Sequence, residues 1–197
     1  MITLEHDTEE NRRPEVRVFK KIINFESGWQ MVFILMGVSG CGKTTIGRML
    51  AEKMALPFLD ADDFHPQNNI NKMKKSVPLT DIDREPWLVS IARLVAELNV
   101  KKGAVLACSA LKEKYRTIIS QNGREKVSFI YLKGSKRIIS QRINMRKGHF
   151  LQPGLLGSQF DTLEEPKDAI TVAVDKSPEQ ICAEILDKLA GLGLLTG

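Results

Sequence analysis

Short apolar runs separated by longer amphipathic ones make up most of this chain. Residues 31–36, 104–108, 127–132 and 170–174 are apolar over four to six positions, the length of a buried strand, and 58–60 is a shorter run that ends in acid. Between them lie segments with helical spacing. Over residues 86–101, Leu88, Ile91, Ala92, Val95 and Leu98 fall on one face, and in 178–190 Ile181, Ile185 and Leu189 are in register. Further helices are predicted over residues 43–54, 68–75, 111–121 and 135–146. The run at 104–108 is continuous rather than alternating, as in a parallel strand covered on both faces. Strands alternating with helices predict an α/β domain, a five-stranded parallel sheet wrapped by helices. Right-handed crossovers then bring the loops after the strands to one edge. Residues 61–66 and 79–84 have loop character, the latter ending in a helix cap. So do residues 147–166, with Gly148, Pro153, Gly154 and Gly157. Residues 1–30 form a polar extension of mixed charge, in which 16–19 is a candidate strand, and the domain runs from 31 to 197.

Between the first strand and the first helix stands Gly37-Val38-Ser39-Gly40-Cys41-Gly42-Lys43-Thr44, followed by Thr45. It fits G-x-x-x-x-G-K-[ST] in the strand–turn–helix context that the mechanism requires. Glycines let the backbone bend around phosphate oxygens. The turn's N–H groups meet the positive end of the helix dipole. Lys43 can reach the outer phosphates of a nucleoside triphosphate, and the Thr44 hydroxyl can ligate Mg²⁺.

Composition narrows the partners. The chain has 197 residues, 43% hydrophobic and 27% charged, with a net charge of +5. No apolar run approaches the roughly 18 residues of a membrane span. The positive charge is dispersed and aromatics are only 6%, which favours small anionic substrates over nucleic acid. Cys41, Cys108 and Cys182 lack metal-ligand spacing. Their odd number, without a secretory signal, predicts a reducing, cytoplasmic setting.

The other candidate residues follow strand ends. Asp60 and Asp62 are two apart after the second strand, where one carboxylate can serve Mg²⁺ and the other can accept a hydroxyl proton. A helix cap or solvated turn is the competing reading, and Asp63 is expected to face solvent. His65 is either a substrate ligand or a structural histidine. Ser109, Lys112, Tyr115 and Arg116 follow the third strand, and Asp175 the last. Arg142 and Arg146 are four apart, hence on one helix face. They lead into the Gly- and Pro-rich segment, which can close as a lid over a transferring phosphoryl group; a solvated basic face is the alternative. No Asn-Lys-x-Asp guanine motif is present, and the acid sits on the second strand, an arrangement that fits small-molecule kinases.

These motifs together resemble the gluconokinases, a small P-loop family related to shikimate and adenylate kinases. The resemblance rests on the phosphate turn and on Leu59-Asp60-Ala61-Asp62-Asp63-Phe64-His65-Pro66, Asn69, Lys72-Met73 and residues 78–88. It continues through Cys108-Ser109-Ala110-Leu111-Lys112, Tyr115-Arg116, Lys147-Gly148-His149-Phe150 and residues 159–164. It covers residues 31 to 197. It implies a three-layer α/β/α P-loop kinase fold with a mobile lid at about 147–166. It implies ATP-dependent phosphorylation of D-gluconate at the 6-hydroxyl, giving 6-phospho-D-gluconate for the pentose phosphate pathway, with Mg²⁺. By the same resemblance Lys43, Asp62 and Arg142 are catalytic, with Asp62 the base and Asp60 and Thr44 at the metal. Gly37 to Thr45, Arg142 and Arg146 bind nucleotide. Asp62, His65, Arg84, Lys112, Arg116 and His149 bind gluconate, and homodimers are expected. Cys41 stands where the family often has Ser, and Ser76 where Gly is usual. The alternatives are a kinase for another small acid such as shikimate, and a nucleotide-dependent regulatory or nucleic-acid-binding protein.

Overall fold

The computed structural model describes residues 31–75, 77–101, 103–145 and 153–195. The expectations for residues 1–30, Ser76, Arg146 and His149 lie outside this set. Five strands, β1 (Val32–Met36), β2 (Phe58–Asp60), β3 (Ala104–Ala107), β4 (Val127–Lys133) and β5 (Ile170–Ala173), form one sheet in the order β2-β3-β1-β4-β5. Every pairing is parallel, with Ile34 opposite Leu106 on one side and Phe129 on the other. β1 is central and buried along its whole length.

Its alternating side chains build two cores. Phe33 and Leu35 pack with Ile46 and Leu50 of α1 (Lys43–Lys53) and with Ile181, Ile185 and Leu189 of the C-terminal helix. Val32, Ile34 and Met36 face the opposite layer, which supplies Trp87, Leu88, Ile91, Leu98 and Ile119. This is the three-layer α/β/α arrangement. Each fully buried Leu or Ile contributes about 1.5–3 kcal/mol, so two apolar faces, rather than local propensity, fix the layers. α1 lies close to β2: a Cβ on Gly47 would stand 2.6 Å from the Phe58 ring.

The remaining helices are α2 (Gln67–Lys74), α3 (Asp81–Lys101), α4 (Glu113–Ser120), α5 (Lys136–Met145), α6 (Pro153–Thr162) and α7 (Pro178–Gly191). Three segments differ from the sequence expectation. Residues 61–64, expected as loop, form a 3₁₀ turn whose start is capped by Asp60, which accepts from the Asp62 N–H at 3.2 Å. α3 starts at Asp81, not at Pro86, which lies inside the helix. Thr80 and Asp83 cap one another: the Thr80 N–H and hydroxyl donate to Asp83 Oδ2, both at 2.9 Å, and the Asp83 N–H donates to Thr80 Oγ1 at 3.2 Å. That reciprocal cap, together with burial of Trp87, Leu88 and Ile91 just beyond the proline, carries the helix through Pro86. The 147–166 segment contains α6. Pro153 supplies a preset φ at its first position, and Leu156, Phe160 and Leu163 pack on the first core.

Replacing Thr80 by Ala is expected to lower stability by about 1 kcal/mol. A urea titration followed by circular dichroism checks this: the midpoint falls with an unchanged slope, and an unmoved midpoint contradicts the cap.

Candidate active site

The turn between β1 and α1 is shaped for an anion. Gly37, Gly40 and Gly42 have φ of +139°, +83° and +106°, which side chains rarely adopt. A Cβ on Gly40 would also meet Ile143 of α5 at 2.6 Å. Gly42 precedes α1 without a side-chain cap, and the first turn carries no acid. The exposed N–H groups of this helix end therefore await an anionic partner. Val38 and Cys41 are buried, so they line the turn through their backbone, while Thr45 is exposed. All three cysteines are free and buried. Lys43 Nζ donates to the carbonyls of Gly37 and Val38 at 3.0 and 3.2 Å, which keeps its ammonium over the turn.

Asp60 stands at the end of β2 and faces both ways. Its Oδ2 accepts from Thr44 Oγ1 at 3.0 Å, and its Oδ1 accepts from the Asp62 N–H. A hydroxyl and a carboxylate are hard oxygen donors. They suit Mg²⁺, which completes its shell with phosphate oxygens and water rather than with a protein cage. Among the described residues no group of three or more His, Cys, Asp or Glu forms such a cage.

Two further side chains close on the turn. The Ser39 N–H donates to Gln159 Oε1 at 2.6 Å and Gln159 Nε2 donates to Ser39 Oγ at 3.0 Å, so α6 is tied to the phosphate turn. Arg142 Nη2 donates to the carbonyls of Val174 and Lys176. Its Nη1 lies 3.9 Å from where a Cβ on Gly42 would stand, which brings this guanidinium to the start of α1. Asp175 is exposed, and the carbonyls on either side of it take the arginine instead.

The 3₁₀ turn carries the second carboxylate, Asp62. The Trp87 indole N–H donates to the Ala61 carbonyl at 2.8 Å, fixing the turn against α3. The Asp62 side chain keeps 72% of its surface open. Desolvation, and then the charge of Asp60, raise its pKa against the pull of Lys43. Asp63 is exposed. The His65 side chain is only 5% exposed, and its Nε2 lies 4.0 Å from Asp62 Oδ1. Burial, and next the Arg84 charge, lower its pKa to about 4.

Arg84 and Lys112 gather around Tyr115, with Arg84 Cζ 5.8 Å and Lys112 Nζ 5.6 Å from the ring centre. Both are already engaged. Arg84 donates to the Leu79 carbonyl. Lys112 pairs with both oxygens of Asp81 at 3.0 and 3.1 Å, alongside Lys114 at 2.6 Å and the Tyr115 hydroxyl. Lys114, Tyr115 and Lys112 hold the Asp81 carboxyl well below the usual carboxylate range. Arg116 is buried, and its Nη1 donates to the carbonyls of Ala110 and Leu111 at 3.0 and 3.1 Å. It orders the backbone at Ala110, whose φ is +43°. The Ser109 carbonyl accepts from the Gly37 N–H at 3.3 Å, linking the exits of β1 and β3. Sequence reasoning missed the roles of Asp81, Trp87 and Gln159. Asp81 meets Lys112 across 31 positions, and no local spacing signals such a pairing.

The family model for shikimate kinase matches residues 39–190. A probable gluconokinase from Mus musculus is 43% identical over 178 residues, covering 80% of this chain and 97% of that protein. The thermoresistant gluconokinase of Escherichia coli is 39% identical over 161 residues, covering 79% and 91%. The crystal structure of a gluconokinase from Sinorhizobium meliloti is 37% identical, with a TM-score of 0.78, and the match covers 83% of this chain and 94% of that one. An APS kinase from Mycobacterium tuberculosis, 14% identical with a TM-score of 0.60, shares the fold. With identity near 40% over four-fifths of its length and a phosphate turn built as above, this chain belongs to the gluconokinase family of P-loop kinases.

Proposed function

We propose that this protein transfers the γ-phosphoryl group of ATP to the 6-hydroxyl of D-gluconate, in the cytoplasm and as a homodimer. One observation carries the chemistry: Asp60 bridges the phosphate turn and the Asp62 loop through its two carboxylate oxygens. A nucleotide on the turn and a hydroxyl at Asp62 would thus be held side by side.

The roles follow from position. The N–H groups at the start of α1, with Lys43, bind the outer phosphates. Thr44 and Asp60 hold Mg²⁺, which when bound neutralises charge on the phosphates. Arg142, beside Gly42, offsets the charge that grows on the transferring group. Asp62 accepts the hydroxyl proton, and a raised pKa makes it a better acceptor than an ordinary aspartate. Arg84 and Lys112 supply the positive charge that a carboxylate substrate needs. Arg116 holds the loop that carries Lys112. In this reading His149 binds gluconate and Arg146 binds nucleotide.

A coupled ADP-release assay with gluconate, other sugar acids and shikimate tests the assignment. Gluconate is expected to turn over fastest, with no transfer by Lys43→Ala; a preference for shikimate, or no ADP with gluconate and magnesium, contradicts it.

Asp62→Asn is expected to bind ATP normally and to lose about 10²–10⁴-fold in turnover. In the wild type, kcat/KM should fall as acid protonates Asp62. Because this pKa is raised, the limb lies above the 3.8 of an ordinary aspartate. A profile that stays flat through that range removes Asp62 from the role of base.

A further inference from the structure

His65 sits two residues before α2, enclosed and stacked on Trp87 with ring centres 4.4 Å apart at 17°. The stack fixes the ring plane but not which nitrogen carries hydrogen. Asn69 settles that. It lies four residues on, in α2, and is 3% exposed. Its Nδ2 is 2.7 Å from the Asp83 carbonyl oxygen. A carbonyl only accepts, so the Asn69 atom facing it is the NH₂ group, and the amide has one orientation. The same Nδ2 lies 3.4 Å from His65 Nδ1. One of its hydrogens serves Asp83 and the other is left for the ring, a contact that is favourable only where Nδ1 accepts.

We infer that Asn69 is a positioning residue that holds His65 as the neutral tautomer with hydrogen on Nε2, so that His65 donates a hydrogen bond to a substrate oxygen and leaves Asp62 as the proton acceptor. A protonated ring would set N–H against N–H at Asn69. Burial and the Arg84 charge act in the same direction. Nε2 faces Asp62 Oδ1 across 4.0 Å, too long for a direct hydrogen bond. An oxygen lying between them can accept from one and donate to the other. The charged groups facing the ring are Asp62 and Arg84. Asp83, which supplies the carbonyl, is itself pinned by Lys72 at 2.6 Å and by Thr80, so α2 and the start of α3 set the ring together. The part that concerns substrate rests on the kinase reading above; the tautomer does not.

The test is a long-range ¹H–¹⁵N correlation spectrum of the ¹⁵N-labelled full chain at pH 7. His65→Gln identifies the His65 signals among the three histidines. A bare Nδ1 and a protonated Nε2 are expected. A ring protonated on Nδ1, or an imidazolium, overturns the inference. Asn69→Ala, or Asn69→Ser if the first does not fold, should shift the signals toward a mixture of tautomers; an unchanged spectrum removes Asn69 from the role. In kinetics, Asn69→Ala should lower kcat/KM about tenfold, the worth of about one hydrogen bond. His65→Gln, whose side-chain N–H can stand where Nε2–H stood, should retain more activity than His65→Leu; equal losses contradict donation. The expected tautomer in a protein that leaves gluconate untouched refutes the kinase reading alone, whereas the opposite tautomer in an active gluconate kinase refutes this inference alone.

Discussion

One carboxylate joins the two halves of the site. Asp60 takes the Thr44 hydroxyl from the phosphate turn on one oxygen and the Asp62 N–H on the other. It can do so because β2, only three residues long, is locked to β3 with Asp60 opposite Ala107. β3 in turn pairs with the fully buried β1, from whose end the phosphate turn springs. A slip of one residue in β2 would turn Asp60 to the other face of the sheet. Two apolar layers hold that register, and the catalytic geometry depends on it.

The cations of the acceptor side are not left bare. Asp81 sets one negative charge against the two positive charges of Lys112 and Lys114 and receives the Tyr115 hydroxyl. Pairs as open to water as these are screened and contribute little to stability. A substrate carboxylate can therefore enter by sharing or exchanging partners at small cost. The contacts that hold the backbone are of a different kind. Arg116 is buried and spends its donors on carbonyls, and Trp87 does the same for the turn that carries Asp62. Solvated charges stand on one side of the site, and buried groups bonded to backbone carbonyls hold the loops.

The fold was legible because it is written in short-range pattern. The apolar run of β3 announced a parallel strand, and the G-x-x-x-x-G-K-T turn announced the phosphate site. The placement of Lys43 and Thr44 was readable from that motif, and that of Asp60 and Asp62 from the end of the second strand. α6 was obscured by Gly154, Gly157 and Pro153, because composition signals loop while packing of Leu156 and Phe160 makes a helix. The start of α3 was misplaced because Pro86 is a strong local signal: a cap was read in residues 79–84, but the helix was begun at the proline instead of at the Thr80–Asp83 cap. Partnerships such as Asp81 with Lys112 and Gln159 with Ser39 span 31 and 120 positions. No spacing rule reaches that far. The resemblance to gluconokinases named several residues, yet it did not say that Arg116 faces its own loop or that Asn69 faces the histidine.

The most direct test of the central claim is diffraction from crystals soaked with gluconate, magnesium and a non-hydrolysable ATP analogue. The account predicts the 6-hydroxyl oxygen within about 2.6–3.2 Å of an Asp62 oxygen and in line with the terminal phosphorus, with Asp60 and Thr44 at the metal. Gluconate bound with that hydroxyl turned away from Asp62, or a metal held without Asp60, would contradict it.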